Sequence, residues 1–126
     1  MTKGRKAGII PADAAIDDVP SPPSILDKDA RKVWREIMPE LVARRILTPA
    51  DIPGLRTFCM MVGKVEKLER AIQALGDAFD PALYRAQDKA AQSARLIGDQ
   101  YGLAPTSRSR PSIRDGADDD DSSFLD

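Results

Sequence analysis

"ILDKDARKVWREIMPELVARRIL", residues 25–47, decides the fold. Ala30, Val33, Trp34, Ile37, Met38, Leu41 and Val42 recur at steps of three and four, the spacing of one apolar face on a helix. Asp27 stands where an N-cap acceptor belongs, and Arg44 and Arg45 fall where the helix dipole favours cations. Pro39 interrupts the run. Lacking an N–H, it deletes the bond to the Arg35 carbonyl and costs about 3 kcal/mol in a straight helix. The apolar stripe continues in phase beyond it, so the segment reads as one kinked helix rather than two.

Downstream, "TPADIPGL" restarts a helix at residue 48, with Thr48 as cap, Pro49 at the first position and Asp51 in the first turn. Its stripe runs through Ile52, Leu55, Cys59, Val62, Val65 or Glu66, Leu68 or Glu69, Ile72 and Leu75, and Gly76 ends it. Asp80 and Pro81 begin a third helix that extends to Tyr101. Leu83, Ala86, Ala90, Ala94, Ile97 and Tyr101 mark its inner face, small enough for a neighbouring helix to come close. Gly102 is the expected C′ residue, and Pro105 blocks extension. No strand period is present. The expected fold is all-α: a kinked first helix packed on a long antiparallel αα-hairpin, between a disordered N-terminal arm and a disordered C-terminal tail.

The division into parts follows composition. Residues 1–24 carry Pro11, Pro20, Pro22 and Pro23 and no sustained period, which reads as an extended, mobile arm. Residues 25–103 are the helical core, and residues 104–126 are a basic segment followed by an acidic tail. Formal charge is -1 for the 126 residues, yet six acids (Asp115, Asp118 to Asp121 and Asp126) fall in the last twelve. A basic body thus precedes an acid end. With aromatic residues at 5% and one Trp, the core is thin for a monomer, and burial between copies would supplement it.

Several chemistries are excluded by residue type. His is absent and Cys59 is solitary, so there is no thiol–imidazole pair and no His/Cys metal cluster. A glycine-rich phosphate loop is also missing. The chain is read as a non-enzyme without cofactors. No run of about 18 apolar residues and no signal pattern occurs, so no membrane partner is expected. Trp34 and Cys59 lie in phase with apolar neighbours and read as core. Asp27, Asp29, Glu66 and Glu69, set among Lys28, Arg31, Lys32, Lys67 and Arg70, read as helix-face ion pairs. Lys64, Lys67 and Arg70 form a second cationic set, open to intrahelical pairing or to lining a channel.

"ARRILTPADIPGL", residues 43–55, raises helix-turn-helix DNA binding. There the second helix puts its N-terminal residues into the major groove. Pro49, Ala50, Asp51, Ile52 and Pro53 are acidic or apolar and offer few donors to a base edge, with Arg56 the first cation. The ends are better suited. Lys3, Arg5 and Lys6 sit among glycines, as in arms that track a groove or backbone, and Arg108, Arg110 and Arg114 follow the last helix in a Ser- and Pro-rich segment. These six are the candidate DNA-binding residues.

"PSPPSILDKDARKVW", then Pro39 and Leu41, "ILTPAD" leading into Leu55 and Cys59, Asp80-Pro81 and "YGLAPTSRSR" follow one another in an order that resembles the small terminase subunits of tailed bacteriophages. The resemblance covers about residues 20 to 110. It departs at Asp80, where the family usually has Asn, and at Ala104 and Thr106 in the family's Gly-Leu-Thr-Pro-Ser-Ser-Arg ending.

The resemblance implies a non-catalytic subunit that forms a cyclic homo-oligomer and binds the packaging site on double-stranded DNA. It would recruit and regulate the large terminase ATPase-nuclease in the cytoplasm of the infected bacterium, and would not remain in the mature virion. Asp118, Asp119, Asp120, Asp121, Phe124 and Leu125 are the candidate surface for the large subunit, through charge and two apolar anchors. DNA mimicry over the arginines, or simple solubilisation, are the other readings of that tail. A helix-turn-helix transcription regulator and a helical adaptor without nucleic acid are the competing functions.

Overall fold

The computed structural model describes residues 14–103, which fold into three helices: α1 (Lys28–Ala43), α2 (Ile52–Ala74) and α3 (Pro81–Gln100). No strand occurs among these residues. Local chemistry explains each start. The Asp27 carboxylate accepts from the Ala30 N–H at 3.0 Å, satisfying a donor that helix geometry leaves unpaired. Asp51 reaches back to the Thr48 N–H at 2.8 Å and to its hydroxyl at 3.3 Å, closing a single 3₁₀ turn (Pro49–Asp51) that feeds α2. Asp80 accepts from the Ala82 N–H at 3.0 Å, with Pro81 in the position where its missing N–H costs nothing.

Helix ends are equally specific. Gly102 has φ +69°, donates to the Asp99 carbonyl at 3.3 Å and lets Leu103 donate to Gly98 at 2.9 Å, a Schellman closure. Helix α1 stays unbroken through Pro39. Arg35 and Pro39 both lie on its exposed face, so the carbonyl that loses its partner is on the side where water can supply one. Arg44 caps α1 and pairs with Glu40 at 2.7 Å, while Arg45 takes φ 58° beyond it.

Helix α2 is the middle layer. Leu55, Cys59 and Gly63, four residues apart and buried, form a seam of diminishing size. The core they join contains Leu26, Ala30, Val33, Trp34, Met38, Leu41, Val42 and Leu47. At the narrow end a Cβ on Gly63 would meet the Ala30 backbone N at 2.9 Å and its Cα at 3.2 Å. Helix α3 returns antiparallel along α2: Tyr101 lies over Gly54, Phe58 against Gly98, and Gln87 beside Val65 and Glu69. Ala90, Ala94 and Gly98 are buried on α3.

Two expectations need correction. The segment before α1 is not a free arm up to residue 24. Ala15 and Leu26 are buried, the Ile16 N–H donates to the Leu47 carbonyl at 2.8 Å, and the Trp34 indole donates to the Pro20 carbonyl at 2.8 Å. Trp34 is core, as expected, but its polar edge also fastens this Pro-rich strap. On α3, Ala86 is exposed and Gln87 takes the inward place, donating to the Val65 carbonyl at 3.2 Å and to Glu69 at 2.8 Å. Gly63→Ala should lower the unfolding free energy by about 1–3 kcal/mol, read from a urea midpoint. An unchanged midpoint would mean that the two helices do not approach this closely.

Candidate nucleic-acid interface

The candidate DNA-binding residues Lys3, Arg5, Lys6, Arg108, Arg110 and Arg114 lie outside the described residues, as do Asp118 to Asp121, Phe124 and Leu125. The fold does place the points from which both ends depart. Ile16 is bonded to Leu47, and Asp17 pairs with Arg45 at 2.8 Å. At the other end of the described chain, Gly102 abuts the Arg44 guanidinium and Tyr101 covers Gly54. Entry near residue 14 and exit after Leu103 therefore share one pole of the bundle, where α1 ends, α2 begins and α3 ends.

A second cationic feature belongs to the folded body. Lys28, Lys32 and Arg35, spaced for one helical face, are exposed on α1 and line a groove with Asp29 of α1 and Glu66 and Arg70 of α2. Arg70 crosses the groove to bond Asp29 at 2.6 Å. That hydrogen bond holds the Asp29 carboxyl below its ordinary pKa, and the charges of Arg70, Lys28 and Lys67 add to it against an opposing effect of burial. The groove thus has one internal pair, a single further carboxylate at Glu66, and three α1 cations directed at solvent.

This arrangement replaces the helix-face pairing expected for α2. Arg70 serves the neighbouring helix. Glu69 accepts from Gln87 of α3 and from Gln73, at 2.8 and 2.9 Å, and those bonds lower its pKa. Asp27 is spent as a cap. The α1 stripe could have been found in the sequence from Lys28, Lys32 and Arg35, since its spacing is helical and opposite the apolar face. The short-range acids around it obscured the signal.

The start of α2 is poorly suited to a major groove. Asp51 is engaged with Thr48, the Thr57 hydroxyl donates to the Pro53 carbonyl at 3.1 Å, and Arg56 is the first cation. Cys59 is fully buried, and desolvation pushes its thiol up to about 12. Among the described residues no cluster of His, Cys, Asp or Glu is placed to hold a metal ion, and no helix is long and apolar enough to cross a membrane.

Residues 30–118 match the family described as phage terminase, small subunit. The chain belongs to that family. The match takes in nearly all of α1, the whole α2–α3 hairpin, and the basic segment beyond it. It gives the chain a role in phage DNA packaging. No curated protein and no solved structure gives a match.

Two outcomes follow from the geometry of this subunit. A carboxyl whose folded pKa is depressed contributes stability that is complete above its unfolded value and fades as pH falls through the folded one. Asp29→Asn should therefore lower the urea midpoint more at pH 7 than near pH 3, and an equal loss at both would rule out the ion pair as its cause. The Cys59 thiol should react with a neutral-pH thiol reagent only as the protein unfolds. Prompt labelling of native protein contradicts its burial.

Proposed function

We propose that this terminase small subunit is a non-catalytic DNA-packaging initiator. It assembles into a closed homo-oligomer, binds the packaging site on double-stranded DNA, and recruits and regulates the large ATPase-nuclease subunit. Its place of action is the cytoplasm of the infected host, and it is left out of the mature virion. The family match over residues 30–118 carries this reading. The shared pole of entry and exit supports it, since the segments bearing Lys3, Arg5 and Lys6 and bearing Arg108, Arg110 and Arg114 join the fold at the same end of the bundle. Repeating that pole around a ring would gather many weak phosphate contacts into one surface.

The acid end has a separate task in this reading. Asp118 to Asp121 would meet a basic patch on the large subunit, with Phe124 and Leu125 as apolar anchors. A helix-turn-helix regulator is disfavoured by the acidic, proline-containing start of α2. A plain helical adaptor leaves both sets of terminal cations without a use.

Native mass should be a multiple of the 13.7 kDa chain, and duplex binding should weaken with salt. Reversing Lys3, Arg5 and Lys6, or Arg108, Arg110 and Arg114, should weaken binding and flatten the log–log salt slope by about 0.9 for each phosphate no longer neutralised. A monomer, or an intact oligomer whose duplex affinity ignores both triple reversals, removes the proposal's basis. Deleting residues 115–126 should abolish stimulation of the large subunit's ATPase while leaving the oligomer whole.

A further inference from the structure

The α1 cations Lys32 and Arg35 are exposed and make no ion pair among the described residues, and Lys28 acts on Asp29 only from beyond bonding distance. Yet the helix holds their backbone positions in register. α1 is anchored beneath them by Ala30, Val33 and Trp34, and across the groove Arg70 is oriented by its bond to Asp29. A preset row of cations is a receptor for a short run of anions, because the helix loses no backbone freedom on binding.

The same chain supplies such a run. "DDDD", Asp118 to Asp121, follows Leu103, the last described residue, by 15 positions at its first member. A strand of that length spans at most about 50 Å, and an unstructured one averages about 20 Å. The exit point lies beside Arg44. From there, Arg35 is about 14 Å and Lys28 about 24 Å back along α1 at 1.5 Å per residue. The span therefore falls at the tether length for which effective concentration is greatest, in the millimolar range.

We infer that the groove between α1 and α2 is the docking site for the chain's own Asp118–Asp121 run. Lys28, Lys32 and Arg35 hold the carboxylates, and Arg70 forms the far wall. Arg108, Arg110 and Arg114 lie nearer in sequence, but α1 presents its three charges along one face of a folded helix. The consequence is regulatory. While the tail occupies the groove it is withheld from the large subunit, and a polyanion or a better basic partner releases it. The contact itself requires neither DNA nor the large subunit, so it can fail while the packaging role stands.

Zero-length carbodiimide coupling of the full chain, as its native oligomer, tests the contact directly. Isopeptide bonds should join Asp118–Asp121 to Lys28 or Lys32, and coupling should fall several-fold at about 0.5 M salt, where the Debye length shrinks to a few ångströms. In mixtures of isotopically heavy and light chains the products should be all-heavy or all-light. Coupling only to Lys3 or Lys6, coupling chiefly between heavy and light chains, or no coupling at low salt each overturns the inference.

A second measurement does not depend on lysine chemistry. A fluorophore attached at Ser122→Cys, with Cys59 buried and unreactive, should show restricted tumbling that Lys32→Glu/Arg35→Glu relieves. These two residues face solvent, so the double variant keeps its fold, checked by an unchanged urea midpoint. Tumbling that the double variant leaves as it was, in a folded protein, also overturns it.

Discussion

The close approach of α1 and α2 at Ala30 and Gly63 governs what the rest of the body can do. A glycine there lets backbone meet backbone, and the seam widens from it through Cys59 to Leu55. The first turn of α1 is thereby set against the middle of α2, and only in that placement can Arg70 reach Asp29. A bulkier residue at position 63 would lift this end of α1, separating the ion pair and opening the groove that Lys28, Lys32 and Arg35 line. Packing at one small residue thus determines an electrostatic surface nearly two turns of helix away.

A second constraint operates at the opposite pole. Three helices supply three ends there, and the ends of α1 and α3 are closed by chemistry that also holds the first or last described residues. Arg45 leaves α1 with positive φ and reaches Asp17, the Leu47 carbonyl takes Ile16, and the Schellman closure sets Gly102 beside Arg44. The exposed ion pairs contribute little to stability individually. Their effect is positional, since the described chain begins and ends at the same pole of the bundle. That is a physical basis for two distant stretches of sequence acting as one.

Most of the fold was legible because helix punctuation is local. Asp27, Thr48 with Asp51, Asp80 with Pro81, Gly76 and Gly102 each mark a boundary through their own backbone chemistry, and the apolar period names the faces between them. What escaped is non-local. The strap from Ala15 to Leu26 has no period, and its prolines suggest a free arm. It is held by contacts with Leu47 and Trp34, which lie 31 and 14 residues away in sequence. Gln87 displaced Ala86 from the interface because a polar side chain that bonds the Val65 carbonyl and Glu69 leaves no trace in a hydrophobic period. For the site, the terminal cations and acids were visible as composition, while the α1 stripe gained its meaning only when α2 brought Arg70 and Glu66 beside it.

The partition of labour between body and ends follows from the same physics. A thin all-helical core with small residues at its interfaces holds geometry, and the groove it builds between α1 and α2 is lined by charged groups. Its assets are surface charge and the placing of chain ends. The proposed role would need two things from such a subunit: cations that can be presented together, and a means of engaging the large subunit only at the right time. Opposite charges at adjacent positions on one tether, Arg114 and then Asp118 to Asp121, would neutralise each other if nothing kept them apart. A folded groove that prefers the acids leaves the arginines open to phosphate. In the proposed scheme the cationic face of α1 would serve the proposed DNA-binding residues without itself touching DNA, by occupying the acids that would otherwise cancel their charge.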